Sequence, residues 1–309
     1  MSTPTLTRRA ALASAATLPV AATLGATAAK ADGHGGVQNA IQNSFDLGDF
    51  KMATLLVGTR TVEDVQGIFG MNVSAEEFAA VSEKNFIPAD KAQFFFTPTV
   101  ANTGGDVVLF DTGLSAAGTL AALNAAGVSA EDVTVVVITH MHGDHIGGLT
   151  DDSGAPTYPN ARYVTGQVEF DHWAGAANEN FDAKMRPFAD KTTFIGDGES
   201  VVSGVTAVSA FGHTPGQMNY MVESGGVQVL LMADTTNHYV WSLAYPDWEV
   251  RFDMDKTAAA ASRRKILGMA AADRIPVIGY HMPFPGMGFV TTDGPNEFNY
   301  VPVSYQTML

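Results

Sequence analysis

The stretch Thr139-His140-Met141-His142-Gly143-Asp144-His145 sets three histidines and an aspartate directly behind the apolar run Val133–Ile138. That crowding has a chemical reading. Imidazole suits zinc and similar cations, and a carboxylate can hold or bridge a second ion. His140 and His142 alternate along an extended segment, so they point the same way. Gly143 then turns the chain, and Asp144 and His145 face a neighbouring position. The competing reading is an ordinary histidine-rich loop, but three later features repeat the pattern. His213 follows the apolar run Val205–Ala210 in Gly212-His213-Thr214-Pro215-Gly216, Asp234 ends Val227–Ala233, and His281 ends Ile275–Tyr280. Every candidate ligand thus lies just past a predicted strand, where loops at one end of a sheet commonly build a site.

Charge and composition narrow the substrate. The chain carries a net charge of −15 and shows no basic run, which argues against nucleic acid, since phosphate contacts need lysine and arginine. With no cysteine, disulfides and thiolate ligands are excluded. At the N-terminus, Thr7-Arg8-Arg9-Ala10-Ala11-Leu12 opens an alanine-rich stretch closed by Ala29-Lys30-Ala31. Residues 1–31 read as a twin-arginine export signal that delivers a folded protein to the periplasm or the medium. The stretch is too poor in large apolar residues for a membrane anchor. Its removal takes away Arg8, Arg9 and Lys30 and no acid, so the mature chain becomes more acidic still.

Residues 32–309 are expected to form one α/β domain. Strand signals fall at Phe50–Val57, Phe94–Val100, Val107–Phe110, Val133–Ile138, Val201–Ala210, Val227–Ala233 and Ile275–Tyr280. Ser74-Ala75-Glu76-Glu77 has the form of a capping box, and Ser115–Ala126 and Lys256–Ala272 read as helices. Residues 151–200 look less regular and are expected to be an insertion or lid. Residues 235–255 read as an aromatic-rich loop. Strands alternating with helices give a layered α/β architecture.

The ordered set T-H-x-H-x-D-H, G-H-T-P-G, post-strand aspartate and post-strand histidine resembles the metallo-β-lactamase superfamily over nearly the whole mature chain. Within it, the sequence is most similar to the branch containing methyl parathion hydrolase and related lactonases. The similarity includes Leu47-Gly48-Asp49-Phe50, Asn102-Thr103-Gly104, Asp111-Thr112-Gly113, Phe284-Pro285-Gly286-Met287-Gly288 and Val301-Pro302-Val303-Ser304-Tyr305. The resemblance implies a four-layer αβ/βα sandwich and two divalent metal ions, zinc foremost. It implies that His140, His142 and His213 hold the first ion, Asp144, His145 and His281 the second, and that Asp234 bridges both and helps collect the proton. Asp111 would orient a ligand histidine. The implied chemistry is attack by a metal-bridging hydroxide on a small neutral ester, a lactone or aryl ester, with phosphotriesters as the alternative. A mononuclear iron persulfide dioxygenase using His140, His142 and Asp234 is the alternative of another class. A homodimer is also implied.

For the substrate pocket, Trp173, Phe181, Phe188, Trp241 and Phe284 are candidates to line an apolar cleft, set against ordinary core packing. His238, four residues past Asp234, is a candidate substrate contact.

Overall fold

The computed structural model describes residues 41–294 and 297–303. The export-signal reading of residues 1–31 and Ser304-Tyr305 of the tail lie outside the described residues.

The chain opens with the antiparallel hairpin β1 (Gln42–Leu47) and β2 (Phe50–Leu55). Strands β3 (Gly58–Glu63) and β4 (Lys91–Phe96) form a separate two-stranded ribbon, with α1 (Ala75–Lys84) between them in sequence. The Ser74 side chain accepts from Glu77 N at 3.1 Å, as the capping-box sequence predicts. The single strand expected at Phe94–Val100 is broken at Pro98, which has no N–H to give to a ladder, so β5 (Thr99–Asn102) belongs to a different sheet from β4. Next come β6 (Val107–Phe110), α2 (Ala116–Ala125), β7 (Val135–Ile138) and the short α3 (Gly143–Ile146).

Residues 151–200 are not a lid. They hold β8 (Arg162–Gly166), α4 (Gln167–Gly175), α5 (Glu179–Lys184) and β9 (Thr192–Ile195). Strands β8 and β9 continue the first sheet in parallel from β7. The run Val201–Ala210 is likewise a hairpin, β10 (Ser200–Val202) and β11 (Val205–Ser209), turning at Gly204 with φ 80°. The remaining strands are β12 (Met218–Ser224), β13 (Val227–Ala233), β14 (Val277–Gly279), β15 (Met287–Gly294) and β16 (Glu297–Pro302), with α6 (Lys256–Asp273) crossing between β13 and β14. The expected loop at 235–255 contains a π-helical turn over Tyr239–Ala244.

Two seven-stranded sheets result, in the orders β1-β2-β5-β6-β7-β8-β9 and β10-β11-β12-β13-β14-β15-β16. Side-chain alternation explains the layering. Val135 and Val137 of β7 meet Val229 and Leu231 of β13 between the sheets. Val136 and Ile138 face outward onto Leu123 of α2 and onto Phe181 and Phe188. Leu230 and Met232 face outward onto Ile266 and Leu267 of α6. Strands covered on both faces must be apolar at every position, which is why β7 and, from Val229 onward, β13 read as unbroken hydrophobic runs. The four-layer αβ/βα sandwich is the fold. No helix among the described residues is long and apolar enough to cross a membrane.

Candidate metal centre

Five loops that follow strands converge at one edge of the sandwich. Asp111 follows β6, His140 to His145 follow β7, His213 follows β11, Asp234 follows β13 and His281 follows β14. Asp111 (φ 61°) and Ala233 (φ 44°) adopt left-handed backbone conformations that non-glycine residues rarely occupy, and both flank the site.

The structure brings all seven sequence-predicted ligands together in two groups. In the first, His142 Nδ1 lies 3.1 Å from His140 Nε2 and 3.0 Å from His213 Nε2. In the second, Asp144 Oδ2 lies 3.7 Å from His145 Nε2 and 3.4 Å from His281 Nε2. Asp234 stands between the groups. Its Oδ2 is 3.4 Å from His213 Nε2 and 3.1 Å from His281 Nε2, and its Oδ1 is 3.3 Å from His145 Nε2. His140, His145, His213, Asp234 and His281 are buried, while His142 and Asp144 are half-buried and open to the cavity above.

Outer partners orient the rings. His145 Nδ1 donates to Asp111 Oδ2 at 2.8 Å, His213 Nδ1 to Asp253 Oδ1 at 3.0 Å, and His281 Nδ1 to the Phe95 carbonyl at 2.8 Å. Carboxylates and carbonyls accept, so each of these rings in its neutral form turns a bare Nε2 lone pair inward. Asp111 also accepts from Thr139 N and Oγ1, both at 2.9 Å, so it stands directly behind His145. The ring of Tyr280 stacks on His145 at 4.0 Å, and its hydroxyl donates to the Asp144 carbonyl.

The donor set fits divalent cations. His145 Nε2 and Asp234 Oδ1 are buried without a hydrogen-bond partner, and the first group packs three imidazole nitrogens against one another. Burial, then the neighbouring His145, pushes His140 well below its ordinary pKa, and burial followed by His213 pushes His142 down to about 3. Both are therefore neutral lone-pair donors. Burial opposes the charged forms of His145 and His281, yet Asp234 and its acidic neighbours raise both. Burial equally opposes the charge on Asp234, yet His281 and His145 hold its carboxyl well below the usual range.

Above the groups lies a cavity of about 600 Å³. Its wall comes from the β3–β4 ribbon (Arg60, Val62, Phe94, Phe96) together with Leu114 and Phe252. Phe94 and Phe96 each meet the His281 ring edge-on, at 5.3 Å. None of these six residues was anticipated from the sequence. The expected aromatics lie elsewhere. Phe181 and Phe188 are buried behind the first sheet, where Phe188 packs on Tyr163. Trp173 is buried beside His142 at 5.9 Å, with its indole N–H on Glu169. Trp241 is buried among Phe69 and Phe78. Phe284 is half-buried outside the cavity wall. His238 lies behind the ribbon, where its Nδ1 accepts from Val240 N and Trp241 N and caps the π-helical turn. Sequence reasoning also missed Glu169, Asp253 and Arg263, all buried. Only the fold reveals their partners.

AidC, a dizinc quorum-quenching lactonase solved with the product N-hexnoyl-L-homoserine, is 25% identical, with a TM-score of 0.79 over 87% of this chain and 100% of that one. The hydrolase AbOPH of the beta lactamase superfamily shares the fold at 21% identity, with a TM-score of 0.79 over 87% of this chain and 99% of its own. Among curated proteins, YobT of Bacillus subtilis is 26% identical over 134 residues, 40% of this chain. The anti-Pycsar protein Apyc1 of Paenibacillus is 37% identical over 59 residues, 19% of this chain. The chain spans 55% and 23% of the lengths of those two relatives. Residues 98–277, more than half of the chain, match the metallo-beta-lactamase superfamily, and the chain belongs to that superfamily.

Proposed function

We propose that the chain is an exported binuclear zinc hydrolase of small neutral esters, lactones foremost. The observation that carries the reading is the pair of ligand groups sharing Asp234 at the base of an apolar-walled cavity of about 600 Å³. The similarity to a dizinc lactonase supports it.

In this reading His140, His142 and His213 hold one cation, Asp144, His145 and His281 the other, and Asp234 contacts both. Two such cations would supply an acidified water with a pKa of ~7 and Lewis acidity toward the ester carbonyl. The protein does the rest. Asp111, Asp253 and the Phe95 carbonyl hold three of the rings in the lone-pair-inward tautomer. Asp234 Oδ1, buried 3.3 Å from His145 Nε2, is placed to take a proton during ester cleavage. Phe94, Phe96, Val62 and Phe252 keep water from an acyl or aryl group. Arg60, exposed at the cavity, is the one basic side chain in the described wall. It offers donors to an amide carbonyl or to the carboxylate that ring opening releases.

The test is the ratio of kcat/KM for a lactone (dihydrocoumarin or an acyl-homoserine lactone) to that for methyl parathion, with zinc-loaded mature protein. A large ratio supports the lactonase reading. A small ratio assigns the same machinery to phosphotriesters. Activity on neither, with iron bound, turns the reading to the persulfide dioxygenase. Export through the twin-arginine route predicts that Arg8→Lys with Arg9→Lys leaves the precursor in the cytoplasm, and normal export would overturn it.

A further inference from the structure

Glu169 is the third residue of α4, a position where a glutamate commonly faces solvent, yet its side chain is fully buried. Among the described residues no lysine, arginine or histidine lies within ion-pair distance of it. Its carboxylate instead accepts four hydrogen bonds. Oε1 takes Met141 N at 3.0 Å and Trp173 Nε1 at 2.6 Å, and Oε2 takes Thr214 Oγ1 at 2.7 Å and Gly216 N at 2.9 Å. The N-terminal end of α4 adds a favourable field for the negative charge.

The donors belong to a pattern. Met141 stands between His140 and His142, and Thr214 follows His213. One oxygen therefore grips the first ligand loop and the other grips the second, and all three ligands of the first group sit on the gripped loops. The grip is close. A Cβ on Gly216 would lie 2.1 Å from Glu169 N and 2.6 Å from its Cα, so the two backbones are already in contact. Asp144 and His145 share the first of these loops but lie past Met141 in α3, and neither that helix nor the loop that carries His281 donates to Glu169.

We propose that Glu169 is a positioning residue that sets the His140–His142–His213 geometry by clamping the two loops that carry it. The proposal rests on the reading of that group as a cation site. Stability alone gives no reason for a buried charge here, because well-packed apolar residues commonly serve as well or better. What a carboxylate adds is four acceptor directions on one rigid plane, shared between two loops. Glutamine has the same shape but one acceptor oxygen. Its NH2 would face either Met141 N or Gly216 N, and neither backbone N–H can turn away. Thr214 can rotate its hydroxyl, so the conflict falls on the backbone of one ligand loop.

The test compares cobalt-loaded wild type, Glu169→Gln and Trp173→Phe, reading cobalt retention against a chelator and the visible spectrum. Trp173→Phe removes one donor from Glu169 and leaves all three loop bonds. The expected result is two cobalt ions per chain in wild type and in Trp173→Phe. In Glu169→Gln one ion is held about 10–100-fold more weakly, the range seen when a residue behind a ligand is lost. The spectrum of the ion that remains should match that of His142→Ala and differ from that of His281→Ala. Should Glu169→Gln fail to fold, Thr214→Val, which removes one clamp bond, should weaken the same ion. Wild-type affinity for both ions in the clamp variant would overturn the proposal, and so would equal weakening of both. A wild type that takes up no cation would instead overturn the metal reading itself.

Discussion

The base of the cavity and its wall hold their side chains by different means. At the base, His145, His213 and His281 are each fixed by a directional bond to Asp111, Asp253 or the Phe95 carbonyl, and all three rings are buried. On the wall, Phe94 meets Phe252 and His281 only through ring contacts, at 6.2 and 5.3 Å, and Arg60 extends into solvent. Four of the six wall residues are carried on a two-stranded ribbon that joins neither main sheet. Directional bonds fix atoms to within tenths of an ångström, as hydrolytic chemistry requires, whereas ring contacts tolerate changes in outline. The contrast predicts that base residues set rate and cation affinity, and wall residues set substrate preference.

The strongest way to break that division is at Asp234. Asp234→Ala should remove several kcal/mol of transition-state stabilisation, about a thousandfold in kcat/KM for every ester tried. Loss confined to one substrate would contradict it. Next comes the support of His213. Asp253 accepts from His213 and pairs with Arg263 Nη1 at 2.7 Å, and both charged groups are buried. Arg263→Met leaves the buried carboxylate without its guanidinium partner and should cost about 3–5 kcal/mol in urea denaturation. Wild-type stability would mean that the pair is dispensable.

Smaller effects belong to the wall. Phe252→Ala should change the preference between long-chain and short-chain lactones by roughly tenfold, in keeping with the 1–3 kcal/mol of a small apolar contact, with cation content unchanged. A uniform loss across substrates would assign Phe252 to the base instead.

The smallest effect lies behind the ribbon. Burial holds His238 at about pKa 3, and its Nδ1 must stay unprotonated to accept two backbone N–H groups. Below about pH 6.5 the unfolded chain takes up a proton that the folded chain refuses, so stability falls as the pH drops toward the folded value. His238→Asn keeps an acceptor at the cap without a titrating group. Melting temperatures at about pH 7 and about pH 4 should show a smaller acid loss in the variant than in wild type. An equal loss would remove His238 from the acid response.

The same contrast explains what the sequence discloses. The base is legible because the candidate ligands follow strands, two of them buried largely on both faces (Val135–Ile138 and Val229–Ala233), so position along the chain already implies position at the sheet edge. The layered fold is legible for the same reason. The wall is not, because the ribbon reaches the site through pairing of Gly58–Glu63 with Lys91–Phe96, and no local pattern states which cavity it borders. Phe181 and Phe188, surrounded in sequence by polar residues, look like lid aromatics. They are core because α5 and the turn after it pack on β8, a strand too short and mixed (Arg162–Gly166) to stand out. Glu169 is invisible for a related reason. A glutamate early in a helix is ordinary, and only the folding of two distant loops onto it supplies three of its four partners.

The most direct measurement is the divalent-cation content per chain of the full-length protein at equilibrium with zinc, for wild type and for His142→Ala. The account predicts two ions in wild type and a single retained ion in the variant, with hydrolysis almost lost. A wild type that binds fewer than two ions while hydrolysing lactones, or a His142→Ala variant with wild-type turnover, would contradict it.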